Sequence, residues 1–240
     1  IGFKTADGIA LSVGIPHDSE VRARAGLIYT LQTEADEGHC FTLECDLLLH
    51  AQELLGITVE ILGDALAKEF EKGTLIKEDS RIYLRDLFRA ETRVAAILRR
   101  LLDAPQPFAP IDATRAIPWS ESKMGLNLAP LQREALRNAV TSKVSIITGG
   151  PGVGKTTIIR ALTEIFGARK LDIRLAAPTG RAAKRMSEAT GREAQTIHRL
   201  LKFNPNIGGF EFNLDNPMSG DCFILDETSM IDIRLMDQFL

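Results

Sequence analysis

The sequence predicts an α/β protein in which a parallel sheet is built around a phosphate-binding loop and is preceded by a mainly α-helical region. Three observations predict it. The segment Gly149-Gly150-Pro151-Gly152-Val153-Gly154-Lys155-Thr156 follows the apolar run Val144-Ser145-Ile146-Ile147 and opens a helical stretch, the strand-loop-helix context of a phosphate loop. Beyond it, strand signals at Ile173 to Ala177 and Cys222 to Leu225 alternate with helical ones, as βαβ units do. Before it, from about Ser19 to Leu102, apolar positions such as Leu54, Leu55, Val59, Leu62, Leu66 and Phe70 recur at helical spacing.

Within the helical region, residues 73–84 carry two short strand-like runs around a polar turn directly after a helix, so a winged-helix-like element is expected at about 58–84. Between Asp103 and Pro130 the helical period fades while Pro105, Pro107, Pro110, Pro118 and Pro130 accumulate. Proline removes a backbone donor and fixes φ, so this stretch reads as a connection. The expected organisation is therefore a helical region at 1–103, a linker at 104–127 and a nucleotide-binding α/β domain at 128–240.

Composition sets outer bounds. With 240 residues and 45% hydrophobic content, one large or two modest domains can bury a core. No stretch is long and apolar enough to span a bilayer and the first residues lack signal-peptide order, so no membrane partner and a cytoplasmic location are expected. A net charge of −3 means that any nucleic acid must be held by local patches. Cys40, Cys45 and Cys222 show no metal-ligand spacing with one another or with His17, His39, His50 and His198, and read as reduced structural thiols.

The chemistry is concentrated in two segments. In the loop, glycines let backbone N–H groups turn toward phosphates, the following helix adds its positive end, and Lys155 supplies a cation for the β and γ phosphates. Gly149 to Thr157 thus form the expected ATP contact, with the Thr156 hydroxyl offered to Mg²⁺. The run Cys222-Phe223-Ile224-Leu225-Asp226-Glu227 is a buried-strand pattern ending in two acids at the sheet's C-terminal edge. Asp226 would hold Mg²⁺ through its water shell, and Glu227 would polarise the water that attacks the γ phosphate. Lys155 and Glu227 are the catalytic candidates.

Two further segments carry polar groups at helix starts. Pro178, Thr179 and Gly180 leave a strand and enter a helix on which Arg181, Lys184 and Arg185 share one face and Ala182, Ala183 and Met186 another. On spacing alone this basic stripe fits a solvated face as well as a nucleic-acid backbone. Thr196 and His198 open another short helical stretch, where His198 fits a structural hydrogen bond better than a ligand contact. The opening residues 1–10 look like the second half of a helix-hairpin-helix, whose glycine turn would set Gly2 and Lys4 against a DNA phosphate; a plain helix start fits the same residues.

Taken in order, Gln132, GGPGVGKTT, APTGRAAKRM, TIHRLL and ILDETSM closely resemble the first motor domain of RecD-like superfamily 1 helicases, over Leu128 to Leu240. IGFKTADGIA and GTLIKEDSRIYLRDLFRAE resemble the region that precedes the motor in stand-alone RecD-like helicases. The resemblance implies a RecA-like parallel sheet and a 5′-to-3′ ATP-dependent motor acting on single-stranded DNA or DNA with a single-stranded tail. It also implies a second RecA-like domain beyond residue 240. It makes Gln132 the reader of the adenine edge, and Pro178, Thr179 and Arg181 with Thr196 and His198 the residues facing the strand; Lys184 joins these DNA candidates from the basic stripe. A DNA-stimulated ATPase with a regulatory, non-unwinding role is the alternative.

Overall fold

The computed structural model describes residues 2–240. Ile1, the first residue of the expected hairpin turn, lies outside the described residues. The chain divides into two compact units, one ending at Val94 and the other running from Ala95 to Leu240.

The first unit is helical with a small antiparallel sheet. Helix α1 (Phe3–Ser12) buries no residue of its own and is tied to α2 (Glu20–Asp36) by polar and ring contacts. Asp7 on α1 receives both Nε and Nη2 of Arg22 on α2, at 2.6 and 2.8 Å, and Phe3 stacks on Tyr29 with centroids 4.3 Å apart. Strand β1 (Thr42–Leu43), α3 (Glu44–Leu55) and α4 (Val59–Glu71) follow, and Gly56 at φ +68° ends α3 in the left-handed conformation that glycine adopts without strain. Leu27, Leu47, Ala51, Leu62 and Ala65 are fully buried between these helices. The hairpin expected at 73–84 is present as β2 (Leu75–Glu78) and β3 (Arg81–Leu84), with β1 completing the order β1-β3-β2. Helix α5 (Arg85–Asp103) carries the chain across the division between the units.

The second unit begins at Ala95, inside α5, and the stretch expected to be a linker, 104–127, holds a helix. Residues 113–124 form α6 (Ala113–Met124), whose Ile117, with Ile111 and Ala113, is buried in one core with Leu136, Ile158, Leu162 and Phe166. The prolines mark the helix boundaries more than they break helices: Pro105, Pro107 and Pro110 precede α6, Pro130 is the first residue of α7 (Pro130–Thr141), and only Pro118 lies inside a helix. Asp112 caps α6 through the Thr114 amide at 3.0 Å, and burial of the apolar face outweighs the bond that Pro118 cannot donate.

Helix α8 (Lys155–Ala168) leads to β4 (Ile173–Ala177), α9 (Gly180–Thr190), β5 (Ala194–Thr196) and α10 (Ile197–Leu200). A two-stranded hairpin follows, β6 (Phe203–Asn204) with β7 (Gly209–Phe210), then β8 (Cys222–Leu225), a 3-10 turn at Thr228–Met230 and α11 (Ile233–Phe239). Strands β5, β4 and β8 form a parallel sheet in that order. The expected strand at 144–147 is not one: these residues make no ladder, Ile146 is 83% exposed, and only Ile147 packs against the core. An apolar run becomes a strand only through ladder hydrogen bonds, and β8 makes its ladder with β4.

Candidate nucleotide site

The loop's shape follows from its glycines. Gly152 at φ +78° and Gly154 at φ +86° hold conformations that a side chain would strain. Gly154 is also the N-cap of α8, so the first free amides of that helix, with its positive dipole end, open onto the loop. Lys155, the first residue of α8, folds back and donates from Nζ to the Gly149 carbonyl at 2.5 Å and the Gly150 carbonyl at 2.9 Å. Its ammonium is thereby set over the loop as a cation in reach of whatever the loop holds.

Sheet register brings the other segments to one edge. Leu225 pairs with Ala176, and the Asp226 amide extends the ladder by donating to the Ala176 carbonyl at 3.0 Å. Ala177 pairs with Thr196, so Asp226, Pro178, Thr179 and Thr196 all stand at the C-terminal edge of the parallel strands. That is the edge where such sheets bind ligands. A cavity of about 360 Å³ is lined by Thr156, Asp226 and Glu227 together with Ala182, Arg185, Met186, Glu188 and Ala189 of α9. The oxygens of Thr156, Asp226 and Glu227 are hard donors of the kind Mg²⁺ takes. Glu227 adopts φ +53° and ψ +41°, and its amide donates to Asp226 Oδ1 at 2.9 Å. One Asp226 oxygen is thus occupied locally while the other remains for a ligand. Burial and the neighbouring Asp221 carboxylate push the Cys222 thiol, at the opposite end of β8 from the acid pair, up to about 11, so it stays protonated and offers no nucleophile.

Gln132 lies at the third position of α7, where Oε1 accepts the Ala129 amide at 2.9 Å and Nε2 donates to the Val153 carbonyl at 2.9 Å. It reaches the phosphate loop itself and keeps one N–H and one lone pair uncommitted. Arg185 and Glu188 are the charged cavity residues that the sequence did not mark as site residues, beside the apolar Ala182, Met186 and Ala189. Arg185 was visible only as part of a basic stripe, because helical spacing separates faces without saying which neighbour each face meets.

The strand-facing candidates are more scattered. Thr179 and Thr196 spend their hydroxyls as helix caps, accepting the amides of Ala182 and Arg199 at 3.2 Å each. Arg181 and Lys184 are exposed, Lys184 within 3.9 Å of Glu188. His198 is exposed and lies in an aromatic group with Phe203 and Phe210, at centroid distances of 5.9 and 5.6 Å. In the other unit, Gly2 caps α1, its carbonyl accepting the amides of Thr5 and Ala6 at 3.1 Å, and Lys4 is exposed. Elsewhere Glu34, Glu37 and His39 bring one ligand atom each within 4.8 Å, a grouping on the surface of the helical unit.

A glycine-rich loop opening a helix, with an acid pair at the edge of the adjoining parallel sheet, places the second unit among P-loop nucleotide-binding domains. Comparison with known proteins agrees. The family model of the AAA domain matches residues 132–240, and that of the ATP-dependent RecD2 DNA helicase HHH domain matches residues 1–41. The chain is 33% identical to the ATP-dependent RecD2 DNA helicase of Deinococcus radiodurans, over 98% of this chain and 34% of that protein. It is 34% identical to the RecBCD enzyme subunit RecD of Mycobacterium tuberculosis, over 66% of this chain and 30% of that subunit. With the corresponding subunit of Haemophilus influenzae, identity is 37% over 45% of this chain and 21% of the relative. The chain belongs to the RecD-like helicase family, and it spans about a third of the length of the first two of these relatives. Among the described residues no helix is long and apolar enough to cross a membrane.

Proposed function

We propose that this chain supplies the ATP site and part of the DNA grip of an ATP-dependent DNA helicase. The observation that carries the reading is the single cavity onto which Thr156 of the loop helix and Asp226 and Glu227 of the sheet edge all open. The second unit is read as a RecA-like domain. In the first unit, a winged-helix element is supported by three helices followed by a hairpin in the order β1-β3-β2. A helix-hairpin-helix reading of α1 and α2 is supported by the HHH-domain match to residues 1–41.

The roles follow from position. Loop amides and the N-terminal end of α8 bind the phosphates, and Lys155 neutralises charge that builds on the β and γ oxygens. Mg²⁺, held between Thr156 and Asp226, would supply further neutralisation of the triphosphate. Glu227, turned by its left-handed backbone, orients the attacking water and accepts its proton. The Gln132 amide has one donor and one acceptor left for the adenine edge. Exposed Arg181 and Lys184, with Pro178, Thr179, Thr196 and His198, are the residues proposed to follow a single strand, and Gly2 and Lys4 those proposed to touch a DNA phosphate. Translocation from 5′ to 3′ would need closure against a second RecA-like domain beyond residue 240.

The test is phosphate release by the protein joined to such a second domain, with and without single-stranded DNA, beside an unwinding assay on a tailed duplex. The expected result is hydrolysis stimulated by DNA and coupled to unwinding. Replacing Arg181 and Lys184 by alanine should lower strand affinity and flatten its salt dependence by roughly 0.7 of a unit of slope per lost phosphate contact. Stimulated hydrolysis without unwinding would favour the regulatory ATPase instead.

A further inference from the structure

We infer that Gln132 is a positioning residue for the phosphate loop, holding the Val153–Gly154 peptide so that the Gly154 amide faces bound phosphate. The inference rests on reading this loop as the nucleotide site and deepens it. Gln132 Nε2 donates to the Val153 carbonyl at 2.9 Å across 21 residues of chain. No peptide bond in the described chain is cis, so the Val153–Gly154 unit is planar and trans. In a trans peptide the N–H points opposite to the C=O. Fixing the Val153 carbonyl toward α7 therefore turns the Gly154 N–H away from α7, which takes the backbone's rotation out of the unbound loop.

Two features show that this contact is built in. The same side chain is anchored at its other end, where Oε1 accepts the Ala129 amide at 2.9 Å, so the amide plane is fixed from both sides. The loop also leaves room for it. A Cβ at Gly154 would run into the Gln132 amide nitrogen, so glycine is required here by close approach as well as by its φ of +86°. Without the Gln132 donor, the peptide can flip and present its carbonyl oxygen to an anion. Binding of phosphate alone, with no base attached, must then weaken.

Base reading and loop positioning make different predictions for a ligand that has no base. Mg·tripolyphosphate binding to the protein, measured by isothermal titration calorimetry, should weaken roughly ten-fold in Gln132→Met, the size expected for losing one oriented hydrogen bond to a charged group. Gln132→Glu separates the two ends of the side chain, since a carboxylate still accepts the Ala129 amide but cannot donate to Val153. It should keep the wild-type melting temperature yet lose tripolyphosphate affinity as well. Unchanged tripolyphosphate affinity in Gln132→Met, with relaxed discrimination among ATP, GTP and CTP, would overturn the inference and leave Gln132 as a base reader only. Recovery of wild-type affinity in Gln132→Glu would also overturn it, because the helix cap would then suffice. If the wild-type protein bound neither ATP nor tripolyphosphate, the nucleotide reading itself would fall, an outcome that no Gln132 variant can mimic.

Discussion

Glu227 stands two residues past β8 at φ +53°, in a conformation that costs a residue with a side chain about 1–3 kcal/mol and persists where surrounding structure imposes it. The neighbouring Asp226 does so by accepting the Glu227 amide at 2.9 Å. Both acids line the cavity from adjacent positions, and the proposed roles give Asp226 the metal and Glu227 the water. Glu227→Gln preserves the shape and the backbone bond but removes the proton acceptor. We expect it to bind Mg·ATP with wild-type affinity while hydrolysis falls about 10²- to 10⁴-fold, checked by parallel titration and phosphate release. A loss of binding would assign Glu227 to the fold. At this scale the acid pair and the loop were legible because both are contiguous motifs. Arg185 was not, since its place at the cavity depends on how α9 lies against α8 and β8.

Among the elements, α1 and α6 are held by polar anchors whose loss can be measured. Helix α1 buries nothing itself, so its attachment rests on the two-bond pair of Asp7 with Arg22, a guanidinium only 4% exposed, and on the Phe3–Tyr29 stack. Asp7→Ala leaves Arg22 only the His17 carbonyl as a partner and should loosen α1, seen as faster hydrogen exchange across residues 3–12. The hydrogen bond from Arg22 holds the Asp7 carboxyl below its ordinary range. A lowered folded pKa means that this contribution is complete above the unfolded value of about 3.9 and disappears as pH falls through the folded one. Acid should therefore release α1, and exchange there that is independent of pH after correction for intrinsic rates would contradict the assignment.

In α6, Glu121 accepts the buried Leu128 amide at 2.7 Å and two bonds from Arg133 at 2.7 and 3.0 Å, which sets the turn into α7. Glu121→Ala strands that amide and should cost about 1–3 kcal/mol, or about 2–4 °C in melting temperature per kcal/mol for a unit of this size. Strands β4 and β8 and the β2–β3 hairpin were legible because each is a short apolar run between turn residues. The α6 helix was hidden by prolines that stand mostly at helix boundaries, and the run at 144–147 was overread because period alone does not supply a pairing partner.

Over the whole molecule, a net charge of −3 gives no general attraction to DNA, so any grip on it depends on where a few residues converge. Order along the chain made the convergence legible: loop, basic helix, short capped helix, acid pair. The division of the chain at Val94 was less so, because α5 runs through it without a break in helical period. Binding of a nucleoside triphosphate with Mg²⁺ by the loop at 149–156 can be tested on this chain directly. A fluorescent ATP analogue titrated into the protein, with Mg²⁺ and with a chelator, beside the Lys155→Ala variant, measures it. Saturable binding is expected that needs Mg²⁺ and weakens at least about ten-fold when Lys155 is removed, the loss expected for a charge-assisted contact. Equal affinity in the variant, or no saturable binding in the wild-type protein, would contradict it.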